Sequence, residues 1–145
     1  MKHHTHDKGD EGIGFVMADL ISKGFKICLP VSTHLPFDLI AVAVDGRCLR
    51  LQVKYRTKGF GCVSVSATSQ SVSPGKWATT KMIDRKWLDG WAIYCPDSRS
   101  VYYFGISELP EGSTKFMLRI DPVKNGQSQS IRMASNYISP DRLLA

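Results

Sequence analysis

Two apolar stretches, FDLIAVAV at 37–44 and CLRLQVKY at 48–55, constrain this chain more than anything else in it. Both are dense in residues that suit a pleated, half-buried strand, and only a short turn signal around Asp45 and Gly46 separates them. They predict an antiparallel hairpin, and the loop length decides which residues meet. If Asp45 and Gly46 alone form the loop, Asp38 shares a face with Leu51 and Val53. If the loop takes three residues with Gly46 left-handed, position 38 lies opposite 52. In that register Phe37, Leu39, Ala41, Ala43, Leu49, Leu51, Val53 and Tyr55 line one face, and Asp38, Arg50, Gln52 and Lys54 gather on the other. The second register segregates apolar from polar side chains better and is preferred.

The rest of the chain reads around this hairpin. Apolar residues at 13, 16, 17, 20 and 21 recur at helical spacing and predict a helix over 11–23, with Asp10 as its cap and Gly24 as its stop. Gly12 and Gly14 weaken its first turn and permit close approach to another backbone. Residues 25–29 suit a short strand ended by Pro30, and 60–65 an irregular strand. The segment TSQSVSPG reads as an exposed loop, and the basic, aromatic stretch KWATTKMIDRKWLDG as partly helical. A second hairpin is expected from 91–95 and 101–106, then a strand at 116–120 and a short helix or strand near 131–137. Trp77, Trp87 and Trp91 read as core or interface aromatics. No repeat or linker divides the chain, so residues 1–145 are expected to form one domain with a polar N-terminal segment.

A hydrophobic fraction of 43% over 145 residues is ordinary for a folded domain. The formal net charge of +6 favours an anionic partner, nucleic acid or membrane, but is weak evidence alone. Cys28, Cys48, Cys62 and Cys95 form no CxxC pair, which argues against structural zinc. The polar start, MKHHTHDKGDEG, resembles neither a signal peptide nor a membrane span, so an intracellular, cytoplasmic protein without membrane attachment is expected. His3, His4 and His6 read as a flexible polar terminus or part of a tag rather than a metal site.

The chemistry lies in the polar face of the first hairpin. Gln52 and Lys54, two residues apart, leave one face of a strand; the preferred register sets Asp38 against them, and Glu11 enters from the helix. A carboxylate beside a lysine suits phosphodiester hydrolysis with a hard, oxygen-liganded cation, for which Mg2+ is the natural choice and Mn2+ a substitute. Asp38, the Val53 carbonyl and Glu11 are the candidate ligands. Lys54 would orient or activate water and stabilise charge on the phosphate, and Gln52 would offer an amide carbonyl or a hydrogen bond. Taken without further support, the same residues also describe a solvated salt-bridge patch.

The segment PFDLIAVAVDGRCLRLQVKYR resembles the PD-(D/E)xK nuclease superfamily, and within it the small homing endonucleases of bacterial, especially cyanobacterial, group I introns. Pro36 and Asp38 stand one residue farther apart than in the written motif. Gln52-Val53-Lys54 stands at the (D/E)xK element, and Glu11 at the helical acid. DKGDEG, YCPDSRSVYYFGISELP and LRIDPVKNGQ extend the likeness over nearly the whole chain. The resemblance implies an α/β, restriction-endonuclease-like fold, a mixed sheet flanked by helices. It also implies an Mg2+-dependent endodeoxyribonuclease that makes a site-specific double-strand break for intron homing. Gln52 departs from the usual acid and leaves the metal count and the proton route open.

One active site per small chain implies a homodimer or homotetramer on a long, pseudo-palindromic duplex. Arg56, Lys58, Lys76, Lys81, Arg85 and Lys86 are candidate phosphate contacts, and the serine-rich 64–73 segment with Lys124, Asn125, Gln127 and Gln129 candidate base readers, each against the plainer reading of a surface group. A Holliday junction resolvase or a restriction endonuclease would use the same constellation. A DNA-binding module that has lost catalysis is the alternative of a different class.

Overall fold

The computed structural model describes residues 4–71, 73–124, 126 and 130–145. Among the described residues a helix, α1 (His4–Ser22), precedes nine strands: β1 (Lys26–Cys28), β2 (Leu39–Val42), β3 (Cys48–Tyr55), β4 (Cys62–Ser66), β5 (Thr68–Ser71), β6 (Thr79–Met82), β7 (Gly90–Cys95), β8 (Ser100–Gly105) and β9 (Lys115–Arg119). A central five-stranded sheet runs in the order β1-β2-β3-β7-β8. All its pairings are antiparallel except β3 with β7. Two ribbons, β4–β9 and β5–β6, stand outside it.

The preferred register of the first hairpin is the one found. Leu39 pairs with Leu51 and Ala41 with Leu49. Ala43 and Arg47 close the turn, with Gly46 at φ 87° in the left-handed region. The residues expected on its apolar face share one core from Leu39 to Leu51, with Val53 and Tyr55 half-buried beside them, but Phe37 departs from the expectation and packs in the core of the opposite face with Val63 and Trp91.

The sheet carries a core on each side. Beneath α1, Val16 and Leu20 pack with Leu39, Ala41, Leu51, Ala92 and Tyr103. On the opposite face Trp91, Ile93 and Phe104 meet Val63, Val65, Phe116 and Leu118 of the β4–β9 ribbon. Among the described residues α1 is the only α-helix, so a ribbon and short 3-10 turns cover the face where flanking helices were expected. No helix there is long and apolar enough to cross a membrane.

Several expectations need correction. The first helix begins at His4, not residue 11, so Asp10 is inside it rather than its cap. His4 and His6 are therefore helical and not part of a loose terminus; His3 lies outside the described residues. Gly12 does permit close approach, since a Cβ there would lie 3.4 Å from Tyr55 Cβ, whereas Gly14 faces open space. Residues 68–71 and 79–82 pair as a β ribbon where a loop and a partial helix were expected, and only Arg85–Trp87 makes a 3-10 turn. Trp91 is fully buried, but Trp77 is 95% and Trp87 50% exposed, so neither is a core residue.

Candidate active site

Asp38 lies one residue before β2, just past the last register pair, Leu39 with Leu51, and the regular alternation breaks there. Its backbone N–H donates to the Leu51 carbonyl at 2.9 Å, and its carboxylate Oδ2 accepts from Val53 N–H at 2.7 Å. The side chain thus caps β3 where β2 no longer supplies a backbone partner. The Val53 carbonyl points to the same side of β3 as its N–H, toward this carboxylate. Asp38 and Lys54 are both half-buried.

Burial shifts both groups toward neutrality. Desolvation pushes the Asp38 carboxyl above its usual range, against the Val53 hydrogen bond and the charge of Lys54. Desolvation pulls the Lys54 ammonium below its usual range; Arg56 adds to this and Asp38 opposes it. The two groups feel each other's charge, yet Lys54 forms no ion pair among the described residues. Groups held this way, together and partly dehydrated, are the kind that active sites use.

Gln52 is held from the side. It stands in register with Trp91 on β7, and the buried indole Nε1–H donates to Gln52 Oε1 at 3.0 Å. An indole nitrogen only donates, so this bond fixes which end of the amide faces Trp91 and turns the NH2 group away from it. Sequence reasoning missed Trp91 because the pairing of β3 with β7 joins segments 39 residues apart.

Glu11 is exposed on α1, beside the glycine that packs against Val53 and Tyr55. Its charge is felt by the Tyr55 and Tyr94 hydroxyls, both raised first by burial. The structure thus brings Asp38 and Lys54 within each other's field, with Gln52 two residues along β3, whereas Glu11 lies on the helix that covers the Val53 and Tyr55 face of the sheet. Among the described residues no group of three or more His, Cys, Asp or Glu side chains could by itself hold a metal. A hard cation would therefore rest on few protein carboxylates, and the donor set of Asp38 Oδ1, the Val53 carbonyl and Glu11 suits one whose remaining ligands are water and phosphate.

The candidate DNA contacts divide. Lys76, Lys81, Lys86 and Lys124 are exposed. Arg56 is half-buried and donates to the Tyr55 carbonyl, and Lys58 is paired with Asp121 at 3.0 Å. Arg85 is turned inward, its guanidinium donating to the carbonyls of Ile106, Leu109 and Pro110. Arg50, on the polar face of the hairpin, is fastened to Asp89 and the Lys86 carbonyl. Asn125, Gln127 and Gln129 lie outside the described residues, as do parts of the serine-rich segment.

No curated protein matches the chain. The fold is similar to that of a bacterial homing endonuclease, I-Ssp6803I, with a TM-score of 0.72 at 16% identity, over 97% of this chain and 93% of that one. The model of the PD-(D/E)XK endonuclease family matches residues 3–140, nearly the whole of the sheet, helix and site just described. On that match the chain belongs to the PD-(D/E)XK endonuclease family and is a nuclease acting on DNA.

Proposed function

We propose that this nuclease makes a site-specific, Mg2+-dependent double-strand break of the homing type, through a site built on Glu11, Asp38, Gln52 and Lys54. The observation that carries the reading is the half-buried Asp38–Lys54 couple, set across the β2–β3 hairpin and left without an ion-pair lock. The likeness to a bacterial homing endonuclease supports the biological half of the proposal.

In this reading Asp38 Oδ1, the Val53 carbonyl and Glu11 hold Mg2+, or Mn2+ in its place, while Asp38 Oδ2 stays on Val53 N–H. When bound, the cation supplies charge neutralisation at the phosphate and acidifies water. Lys54 orients the attacking water, and the desolvation that lowers its proton affinity suits it to proton transfer. As the ammonium, it stabilises charge on a phosphate oxygen. Gln52, its carbonyl turned to Trp91, presents amide N–H groups to that phosphate and acts as a donor rather than a metal ligand. Lys76, Lys81, Lys86 and Lys124 are the phosphate contacts, and a homodimer or homotetramer brings two sites to a pseudo-palindromic duplex.

The test is cleavage of intact and intron-interrupted copies of candidate host genes, with Mg2+ or excess chelator, beside Lys54→Ala. Specific cutting of the uninterrupted DNA, lost with chelator and with Lys54→Ala, is expected. Folded protein that binds duplex but never cuts it would replace this reading with a binding module. Preferential cutting of a four-way junction would replace it with a resolvase.

A further inference from the structure

The turn that follows the active-site strand holds a residue that folding alone does not explain. Phe60 has φ 52°, a left-handed conformation that bulky side chains rarely adopt, and its side chain is fully exposed at 104%. It is the first residue of a two-residue turn, with Gly61 at φ 77° and Gly59 paired to Cys62. Asn-Gly is the sequence such a turn prefers. Phenylalanine here strains the backbone and buries nothing.

The turn is nevertheless firmly built. Gly59 and Cys62 exchange backbone hydrogen bonds of 2.8 and 3.0 Å. The Gly61 carbonyl accepts from Ile120 and Asp121 N–H at 2.8 and 3.1 Å, and a Cβ on Gly61 would meet Asp121 Oδ2 at 3.1 Å. Asp97 holds the Lys58 backbone, and Asp121 holds the Lys58 ammonium. The ring therefore stands out on a braced support, a ridge between two open clefts of about 540 and 510 Å³, both lined by Arg119. Strain kept at a fixed, exposed position points to function rather than packing.

Charge identifies the occupant. Residues 46–83 contain seven Lys or Arg and no Asp or Glu; Arg47, Arg50 and Lys58 are paired with acids from outside the stretch, Lys54, Arg56, Lys76 and Lys81 form no ion pair among the described residues, and Arg119 and Lys124 line the clefts beside Phe60. A polyanion matches such a stretch. We propose that Phe60 is a wedge that enters a base step of the bound duplex, unstacking and kinking it beside the cut. The proposal rests on the nuclease reading above and adds how that nuclease deforms its target. Apolar side chains inserted in this manner are how many proteins bend DNA. Phe60 is six residues beyond Lys54, a reach of no more than roughly 20 Å, so the unstacked step falls within about one helical turn of the cut.

Phe60→Asn is the discriminating variant, because asparagine accepts the left-handed turn and leaves the fold and its thermal stability unharmed. A duplex pool with a randomised centre is enriched on the wild type with Ca2+ in place of Mg2+. The selected duplex then carries 2-aminopurine at successive steps and a dye pair at its ends. Expected for the wild type is one bright, unstacked step and a bend; for Phe60→Asn, loss of both and at least tenfold weaker binding. Unchanged unstacking, bend and affinity in Phe60→Asn would overturn the wedge while leaving the nuclease reading intact. So would altered sedimentation with unaltered DNA geometry, which would make Phe60 a contact between copies. A wild type that binds no duplex from the pool would overturn both.

Discussion

β3 carries two couples of opposite charge, and they are built in opposite ways. At one end Arg50 grips Asp89 through Nε at 2.9 Å and Nη2 at 3.1 Å, with Nη1 on the Lys86 carbonyl. Burial raises the Asp89 carboxyl, but two hydrogen bonds and the charge of Arg50 together outweigh it and leave Asp89 below its usual range. At the other end Asp38 and Lys54 feel each other without touching, and burial drives both toward their neutral forms. The first couple is satisfied and fastens the β6–β7 connection to the sheet. The second is held short of satisfaction, and a substrate phosphate and a cation would complete it. An ion pair that is geometrically closed stabilises; one that is dehydrated and left open is available for chemistry.

The comparison breaks first on activity. Lys54→Ala should lower the cutting rate by about 100-fold or more while leaving urea unfolding unchanged or slightly improved. Arg50→Ala should do the reverse. It strips both guanidinium bonds from Asp89 and leaves it only the backbone N–H of residue 50, at a position where both side chains are about one-third exposed, and should cost about 1–2 kcal/mol by urea denaturation, with cutting per folded molecule within a few-fold of wild type.

Gln52→Leu tests the link between the two ends. It strands the buried Trp91 indole N–H and should cost about 1 kcal/mol, whereas Gln52→Glu keeps an acceptor for that N–H and should not. Equal stability of Gln52→Leu and wild type would show that the indole bond contributes nothing.

The subtlest test is the sign of the pH dependence, measured with chelator present. Asp89 has a lowered folded-state pKa, so its contribution is present above its unfolded pKa and lost as pH falls through the folded value. Asp38 has a raised one, so its folded form is favoured at low pH and that advantage is lost as pH rises through the folded pKa. At neutral pH Asp89→Asn should therefore lower the melting temperature and Asp38→Asn should raise it. Both differences should shrink in acid. Two shifts of the same sign would erase the contrast.

How far the sequence discloses this depends on which forces decide each element. The first hairpin is legible because Gly46 and strict alternation specify one register, which runs from the turn to Leu39 opposite Leu51; Asp38 leaves that register, its N–H turning to the Leu51 carbonyl, and no periodicity announces the break. The start of α1 is not, because HTHDKGD carries no apolar period; its helicity follows from the buried turns after it. β5 and β6 were illegible for the opposite reason. Thr79–Met82 is exposed throughout, so no alternation marks it as a strand, and its pairing across the ribbon decides. Asp89 and Trp91 were beyond reach because nothing local records that β7 runs parallel to β3.

That parallel pairing also orders events in time. The β2–β3 and β7–β8 hairpins are local and can close within microseconds. Joining them requires the chain from Arg56 to Asp89 to close as a loop, which is the slow kind of contact. Asp38 and Lys54 belong wholly to the early hairpin, whereas Gln52 receives its indole partner, and Arg50 its carboxylate, only on docking. The Asp38–Lys54 couple is thus a product of local folding, and its scaffold a product of assembly. Refolding should restore the first before the second.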